Sequence, residues 1–410
     1  MQFFKVKTVE ETFSLIEENI PAIEQTEVRE LAEALHYILA EPVIAKENVP
    51  SFDRSTVDGY AVRAKDTYGS SESMPGFLTL VGEVKMGEVP TVSVSNGKAV
   101  YIPTGGMLPR GSDSVIMIEH CEDVDGLLNT YKQNAPAENV IRTGEDIKEG
   151  EILVNKGTKL RPQELGALAS LGITHVSVFR KLKVGYLSSG DEIVPYQTET
   201  LSAGQIRDIN YLTIAGLANE WNVDVVYGGI VKDDFDEFKQ KARELYDQVD
   251  GLILSGGSSV GAKDYTTDVI QSLGDPGVFV HGISIKPGKP TILALANGKP
   301  VIGLPGHPAS AMIIFQLFGQ RILRKLKGEK TEHKPERIFA RMTKNIPSSP
   351  GRSDYIRVHL FEKDSEWWAE PIIGKSGLIT TLVKSDGIVE ITSEKEGVLQ
   401  GEYVPVFVSR

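Results

Sequence analysis

Apolar positions change their period along the chain, and each change marks a different kind of segment. Residues 8–40 read as helical. Thr8 stands three before Glu11, a capping-box spacing, and Leu31, Ala34, Leu35, Ile38 and Leu39 recur at helical intervals. Glu41-Pro42 ends that stretch, because a residue preceding proline is pushed out of the helical region. From about 46 to 140 the apolar runs are short and strand-like: Leu78–Val81, Val92–Val94, Ala99–Ile102 and Val115–Ile118. Gly and Pro turns such as Ser95-Asn96-Gly97 separate them, which predicts a small all-β module inserted into another domain. Residues 141–180 return to mixed character. Pro162 suits the first position of a helix, Gly172 follows its end, and Leu165, Leu168, Ala169 and Leu171 form its apolar face.

Between 182 and 328, apolar strands alternate with helices. The strands are Leu182–Leu187, Val223–Tyr227, Gly251–Leu254, Ile292–Leu295 and Val301–Leu304, and the helices lie near 210–221, 234–247, 264–273 and 308–326. Such alternation predicts a parallel sheet covered on both faces. Strands return after 335, at Ile338–Met342, Tyr355–Leu360, Trp367–Glu370, Gly387–Ile391 and Val404–Val408. The expected fold class is therefore multidomain α/β plus β. Residues 1–45 and 141–180 would form a mixed linking domain, and 46–140 an inserted β domain. A central parallel α/β domain would span 181–328, and a small C-terminal β domain 329–410.

Bulk properties narrow the function classes. With 410 residues the chain exceeds the ~250–300 at which single cores stop growing. A net charge of −12 argues against sequence-independent nucleic-acid binding and against an anionic membrane surface, since both need clustered Lys and Arg. It leaves room for a local basic pocket that takes a small anion. The single cysteine, Cys121, can form no intramolecular disulfide and no cysteine-rich zinc site. The charged start MQFFKVKTVEETFSLIEEN lacks a signal-peptide core, and Ala311 to Phe318 falls short of a membrane span, so the chain reads as cytosolic.

In an α/β sheet, ligands bind beyond the carboxyl ends of the strands, and three loops expected there are unusual. Ser188-Ser189-Gly190-Asp191-Glu192 offers backbone N–H groups to an anion and two acids for a cation or a proton. Ser255-Gly256-Gly257-Ser258-Ser259-Val260-Gly261-Ala262-Lys263-Asp264 opens a helix and lets backbone approach a ligand closely; it is neither a Walker loop nor GxGxxG. Gly303-Leu304-Pro305-Gly306-His307-Pro308 ends at a helix start, whose partial positive charge favours an anion. Lys286-Pro287-Gly288-Lys289-Pro290 holds two lysines in a rigid turn, suited to a phosphate. In the inserted β module, Ser51 to Ala61, Pro103-Thr104-Gly105-Gly106 and Arg142 to Ile147 are polar turns. The acids Asp58, Asp146, Asp233, Asp234 and Asp264 gain meaning only by converging. Taken singly, the SSGDE loop, His307 and the polar turns are just as well solvated turns or caps.

Together these segments resemble one family, the molybdenum insertases, called MoeA in bacteria and the E domain of gephyrin in animals. SFDRSTVDGYAV, PTGG, RTGEDI, SSGDEI, GGSSVGAKDYT, KPGKP, GLPGHPAS and GRSDYIRV each look like a family block, and they occur in order over essentially the whole chain. The chain departs from the family at Ser258, where Val is usual, at His307, where Asn is common, and at Gly282, where a lysine often lies. The resemblance implies four domains, with the linking domain of 1–45 and 141–180 dimerising and the C-terminal domain a small β-barrel, an elongated homodimer, and an α/β domain like that of the adenylyltransferase preceding it in the pathway. It implies adenylated molybdopterin and molybdate as substrates, AMP as a product and Mg²⁺ as cofactor. Transient partners would be a separate molybdopterin adenylyltransferase and apo-molybdoenzymes, with no nucleic acid and no membrane. Catalytic roles fall on Asp58, Thr104, Glu192, Asp233 and Asp264, with Glu192, Asp233 and Asp264 holding or positioning the metal. Substrate contacts fall on Gly256, Gly257, Ser258, Ser259, Gly261, Lys286, Lys289, Pro305, Gly306, His307, Pro308, Arg352 and Ser376. Asp58 and Thr104 of one chain are expected to face Glu192 and Asp264 of the other. The same chemistry on tungstate, a non-catalytic molybdopterin-binding scaffold, and another nucleotide or pterin hydrolase reusing the α/β domain stay open as alternatives.

Overall fold

The computed structural model describes residues 6–256, 265–331 and 336–408. Its first helix, Val9–Asn19, begins with the expected capping box: Thr8 Oγ1 accepts from the Glu11 amide, and Glu11 accepts from the Thr8 amide, each at 3.0 Å. The helical reading of 31–40 does not hold. Thr26–Glu30 is a strand paired antiparallel with His175–Phe179, and only Leu31–Glu33 makes a 3₁₀ turn. Leu31, Ala34 and Leu39 instead fill a cluster with Leu160, Leu168 and Val178, while Leu35 stays exposed. Their helical spacing reflects a shared core, and pairing with a distant strand overrides local propensity.

The chain leaves and re-enters this region through nested ladders. Val43–Ile44 pairs with Ile152–Val154, and Arg54–Ser55 with Val140–Ile141, both antiparallel. Between them a six-stranded sheet runs in the order Ser114–Met117, Gly59–Val62, Lys98–Ile102, Gly76–Glu83, Leu127–Thr130, Cys121–Val124. Alternate residues of Gly59–Val62 enter two clusters on opposite faces, Tyr60 and Val62 on one and Ala61 on the other. The run Val92–Val94 forms no strand; Ser93 contributes one isolated bridge to Arg110. In the helix Pro162–Ser170 only Leu168 is fully buried, and Ala169 faces outward.

The α/β layering predicted for 182–328 is present. Strands are ordered Val223–Val231, Leu182–Ser189, Gly251–Ser255, Lys299–Leu304, Ile292–Ala296, Pro276–His281. One strand departs from the parallel expectation. Ile292–Ala296 runs antiparallel to both neighbours, because Asn297-Gly298 joins it to Lys299–Leu304 as a two-residue hairpin with both φ angles positive. A parallel crossover needs a dozen residues or more. Helices cover both faces. Tyr186, Ile253 and Ile302 pack toward the helices Ile209–Glu220 and Pro308–Ile314, and Leu187, Leu254 and Val301 toward Phe235–Tyr246 and Thr266–Leu273. The helix after Pro308 passes through a π segment, Phe315–Gly319, before Gln320–Leu326.

In the C-terminal region five strands close into a barrel. Ser353–Lys363 pairs with both Glu366–Pro371 and Gly387–Ile391, and the circle runs on through Arg337–Met342 and Tyr403–Val408. Ala340, Val358, Ala369, Val389 and Val406 fill it. Ile285–Lys286 adds a short parallel pairing to Ser353-Asp354, which joins the barrel to the α/β layers. No helix among the described residues is long and apolar enough to cross a membrane.

Lys327 locks two of the α/β helices together. Its side chain is 5% exposed, and its ammonium donates at 2.8 Å to the carbonyl of Trp221, the residue ending Ile209–Glu220. A cation there is favoured by the helix dipole. Burial nevertheless lowers its pKa to about 8 from an ordinary 10.5, with Glu329 opposing the shift. The unfolded chain therefore holds more protons between these values, so stability rises with pH across that window and is lowest below pH 8. In denaturant titrations the stability of the native chain relative to Lys327→Met should climb from pH 8 to 10.5 and stay level between pH 6.5 and 7.5. A difference that is flat throughout would show that the lysine titrates normally.

Candidate functional site

Parallel pairing in register brings the strand ends together. Ser189 pairs with Val231, Ser188 with Ser255, and Ser255 with Leu304. The loops after these strands therefore leave from one edge. Gly256 has φ +101°, and a Cβ there would overlap the carbonyl oxygen of Ser189. Only glycine fits such a contact. A Cβ on Gly306 would lie 3.9 Å from the Gly256 Cα. The SSGDE loop, the first residue of GGSSVG and the GLPGHP turn thus touch in succession. Gly257, Ser258, Ser259, Gly261 and Asp264 lie outside the described residues.

Two residues not singled out from the sequence tie these loops to one helix start. Asp208, 3% exposed, caps Ile209–Glu220 by accepting from the Tyr211 amide at 3.3 Å. It also accepts from the Ser188 hydroxyl at 2.7 Å and the Tyr227 phenol at 3.0 Å. Burial, and then the Asp208 charge, push the Tyr227 pKa upward, which keeps the phenol a donor. Asn210 donates through Nδ2 to the Gly306 carbonyl at 2.8 Å and to Ser255 Oγ at 3.3 Å. Its Oδ1 is buried without a hydrogen-bond partner among the described residues. The signal in the sequence was Asp208-Ile209-Asn210, a capping acid and an amide at the head of a helix otherwise rich in apolar residues.

The acids of the first loop are partly fixed. Asp233 accepts from the Ser189 hydroxyl at 3.2 Å, and its amide donates to Asp191 Oδ1 at 3.2 Å. Glu192 and Asp233 are both exposed. No group of three His, Cys, Asp or Glu able to hold a metal occurs among the described residues. Two carboxylates nonetheless suit Mg²⁺, which commonly takes one or two plus substrate phosphates and water.

The basic groups sort by pairing. Lys286 lies opposite Asp354 in the Ile285–Lys286 ladder, and Arg352 donates to Asp354 at 2.9 Å. Asp354 is 1% exposed and neutralises Arg352. Lys286 and Lys289 are exposed and enter no ion pair among the described residues. Pro305 is buried, and Pro308 opens Pro308–Ile314. His307, just before it, bonds Ser376 Oγ through Nδ1 at 3.1 Å, and the Ala309 amide donates to the Ser376 carbonyl at 3.1 Å. The structure thus brings Ser376, from beyond the barrel strand Glu366–Pro371, onto the helix start.

Asp58 and Thr104 meet as well. Asp58 Oδ1 accepts from the Thr104 amide at 2.7 Å and its hydroxyl at 3.1 Å. Asp53 binds Thr143 in the same way, at 2.7 and 2.8 Å. Both Asp58 and Thr104 are exposed on the sheet that begins at Gly59. A cavity of about 1180 Å³, lined by Phe13, Trp221, Gln316, Arg321, Tyr355 and Phe407 among others, lies elsewhere and includes none of the expected site residues.

Three family models match in order along the chain. They are the MoeA N-terminal region (domain I and II) over residues 7–172, the probable molybdopterin binding domain over 185–325, and the MoeA C-terminal region (domain IV) over 340–408. A molybdopterin molybdenumtransferase of Haemophilus influenzae is 36% identical, covering 97% of this chain and 98% of its own length. One of Bacillus subtilis is 30% identical over 94% of this chain and 90% of its own. The crystal structure of a molybdopterin biosynthesis MoeA protein from Pyrococcus horikoshii OT3 superposes with a TM-score of 0.83 at 31% identity, covering 99% of this chain and 100% of that one. Motif order, layered fold and near-full-length similarity agree: the chain belongs to the MoeA family of molybdenum cofactor biosynthesis proteins.

Proposed function

We propose that this chain inserts molybdate into adenylated molybdopterin, releasing AMP and giving the molybdenum cofactor. The observation that carries this reading is the meeting of Ser189, Gly256 and Gly306 at one sheet edge, in an acidic chain whose Lys286 and Lys289 have no ion-pair partner among the described residues. Backbone amides and exposed ammonium groups suit a polyanion, and the relatives' name, molybdopterin molybdenumtransferase, supports a molybdopterin derivative in that role.

Cleaving a phosphoanhydride needs charge neutralisation and in-line placement more than covalent catalysis. Gly256, Gly306 and the start of Pro308–Ile314 would cradle the pterin and phosphate. Lys286, Lys289 and Arg352 would hold phosphate or molybdate. Glu192 and Asp233, with Asp264, would hold Mg²⁺, whose chemistry there would be to neutralise phosphate charge. Asp233 is already oriented by Ser189, so it needs little reordering to serve. Asp58 and Thr104, locked together by two hydrogen bonds, would complete the site from the second subunit of a homodimer.

Glu192→Gln and Asp233→Asn should each slow molybdate-dependent AMP release by about 10²-fold, the usual cost of one lost transition-state charge contact, with melting temperature unchanged. A variant that keeps full turnover has no part in the mechanism. Tight pterin binding by the native chain without any AMP release would favour a binding protein instead.

Cross-subunit completion has its own test. Asp58→Asn and Glu192→Gln should each be slowed about 10²-fold alone. Refolded together, half the dimers would carry one intact site, restoring about a quarter of native activity, as two-fold symmetry requires. No recovery from the mixture would place both residues in the same subunit's site.

A further inference from the structure

Arg357 lies on the barrel strand Ser353–Lys363, opposite Ile388. Side chains alternate along a strand. Ile356 and Val358 belong to the barrel core, whereas Tyr355 and Ile388 pack with the α/β core. Arg357 shares the Tyr355 face. It is only 8% exposed, yet it has no ion-pair partner among the described residues. Nη2 donates to the Gly374 carbonyl at 3.3 Å, and Nη1 is buried with no hydrogen-bond partner among the described residues. Burial alone pushes its pKa downward, with no acid opposing the shift. The other cations at this junction differ. Arg352 is paired with Asp354, and Lys286 and Lys289 are exposed to water.

What Arg357 touches leads to the site. Its own carbonyl accepts from the Ile372 amide at 2.9 Å, and its guanidinium holds Gly374. Two residues on, Ser376 bonds His307 and Ala309 at the head of Pro308–Ile314. A neutral amide would serve to hold one carbonyl. A guanidinium adds four further N–H donors and a charge, and burying an uncompensated charge is costly. Such groups persist where an anion arrives to compensate them.

We propose that Arg357 is an oxyanion-responsive positioning residue: it holds the 372–379 segment, and through it Ser376, against the helix start, and its charge is compensated when molybdate binds there. This rests on the reading of molybdate as substrate.

The test uses the whole purified chain, melted with and without sodium molybdate, with sodium sulfate as a second oxyanion. Arg357→Gln keeps a donor for the Gly374 carbonyl and removes the charge; Arg357→Lys keeps the charge. Molybdate should raise the melting temperature of the native chain, since a ligand bound only to the folded state stabilises it. Arg357→Gln should melt no lower than the native chain without molybdate and should lose the molybdate response. Arg357→Lys should retain most of it. In AMP release, Arg357→Gln should raise KM for molybdate by about tenfold and leave kcat within about twofold, the pattern of lost ground-state binding. A full molybdate response and unchanged KM in Arg357→Gln would overturn the proposal and leave Arg357 a structural brace. If Arg357→Gln does not fold, Arg357→Lys decides: a retained response supports the proposal and a lost one overturns it. No response in the native chain also overturns it, while AMP release by that same chain separately decides the proposed activity.

Discussion

One helix start carries the architecture of the site. Asp208 and Asn210, at the head of Ile209–Glu220, bond Ser188, Ser255 and Gly306, one partner at or just beyond each of three strand ends. Each loop alone would pay the entropy of ordering its backbone with little buried apolar area in return. A shared buried anchor spreads that cost, and the anchor is itself rigid because the helix packs Ile214 and Ala218 into the α/β core. Parallel register sets the strand ends level, the capping acid and the amide fix them laterally, and Gly256 lets two loops touch where any side chain would clash.

The second constraint is electrostatic. The chain is acidic overall, so any site for a polyanion has to be made locally. Withholding partners would make one. Arg180 pairs with Asp250, Arg341 with Glu366 and Arg352 with Asp354. Lys286 and Lys289 have no ion-pair partner among the described residues, and they sit where the barrel joins the α/β layers. The rigid turn between them has its Gly288 against Ile314 of the helix that His307 precedes, so the lysine turn and the anion-friendly helix start share one packing unit.

Much of this was legible in the chain. Period and turn chemistry located the α/β strands, the C-terminal strands and the helix starts at Val9, Pro162 and Pro308. Local rules failed where distant pairing decided. Leu31 to Leu39 repeat like a helix, but Thr26–Glu30 takes a partner some 150 residues away, and the apolar positions follow the resulting core. The antiparallel strand Ile292–Ala296 was announced by Asn297-Gly298, a hairpin signal masked by the surrounding strand–helix alternation. Motifs found the loops because Gly and Ser stand out. They did not find Asp208 or Asn210, whose importance lies in four side-chain contacts to residues between 19 and 96 positions away.

That difference has a physical reason. A loop that meets a ligand needs unusual residues locally, to expose amides and avoid clashes, and those show in any reading of the chain. A residue that holds such a loop needs only a polar group, burial and a partner across the fold, and Asp208 and Asn210 look like an ordinary helix cap until coordinates place Ser188, Ser255 and Gly306 around them. Arg357 is of the same kind: alone in the sequence it is one basic residue of a strand, and only its burial without an acid, beside a segment that reaches His307, sets it apart. The labour of this fold is therefore divided between exposed residues proposed to meet the substrate and buried ones that hold Ser188, Ser255 and Gly306 together, and what marks the second group is a hydrogen bond shared across the fold.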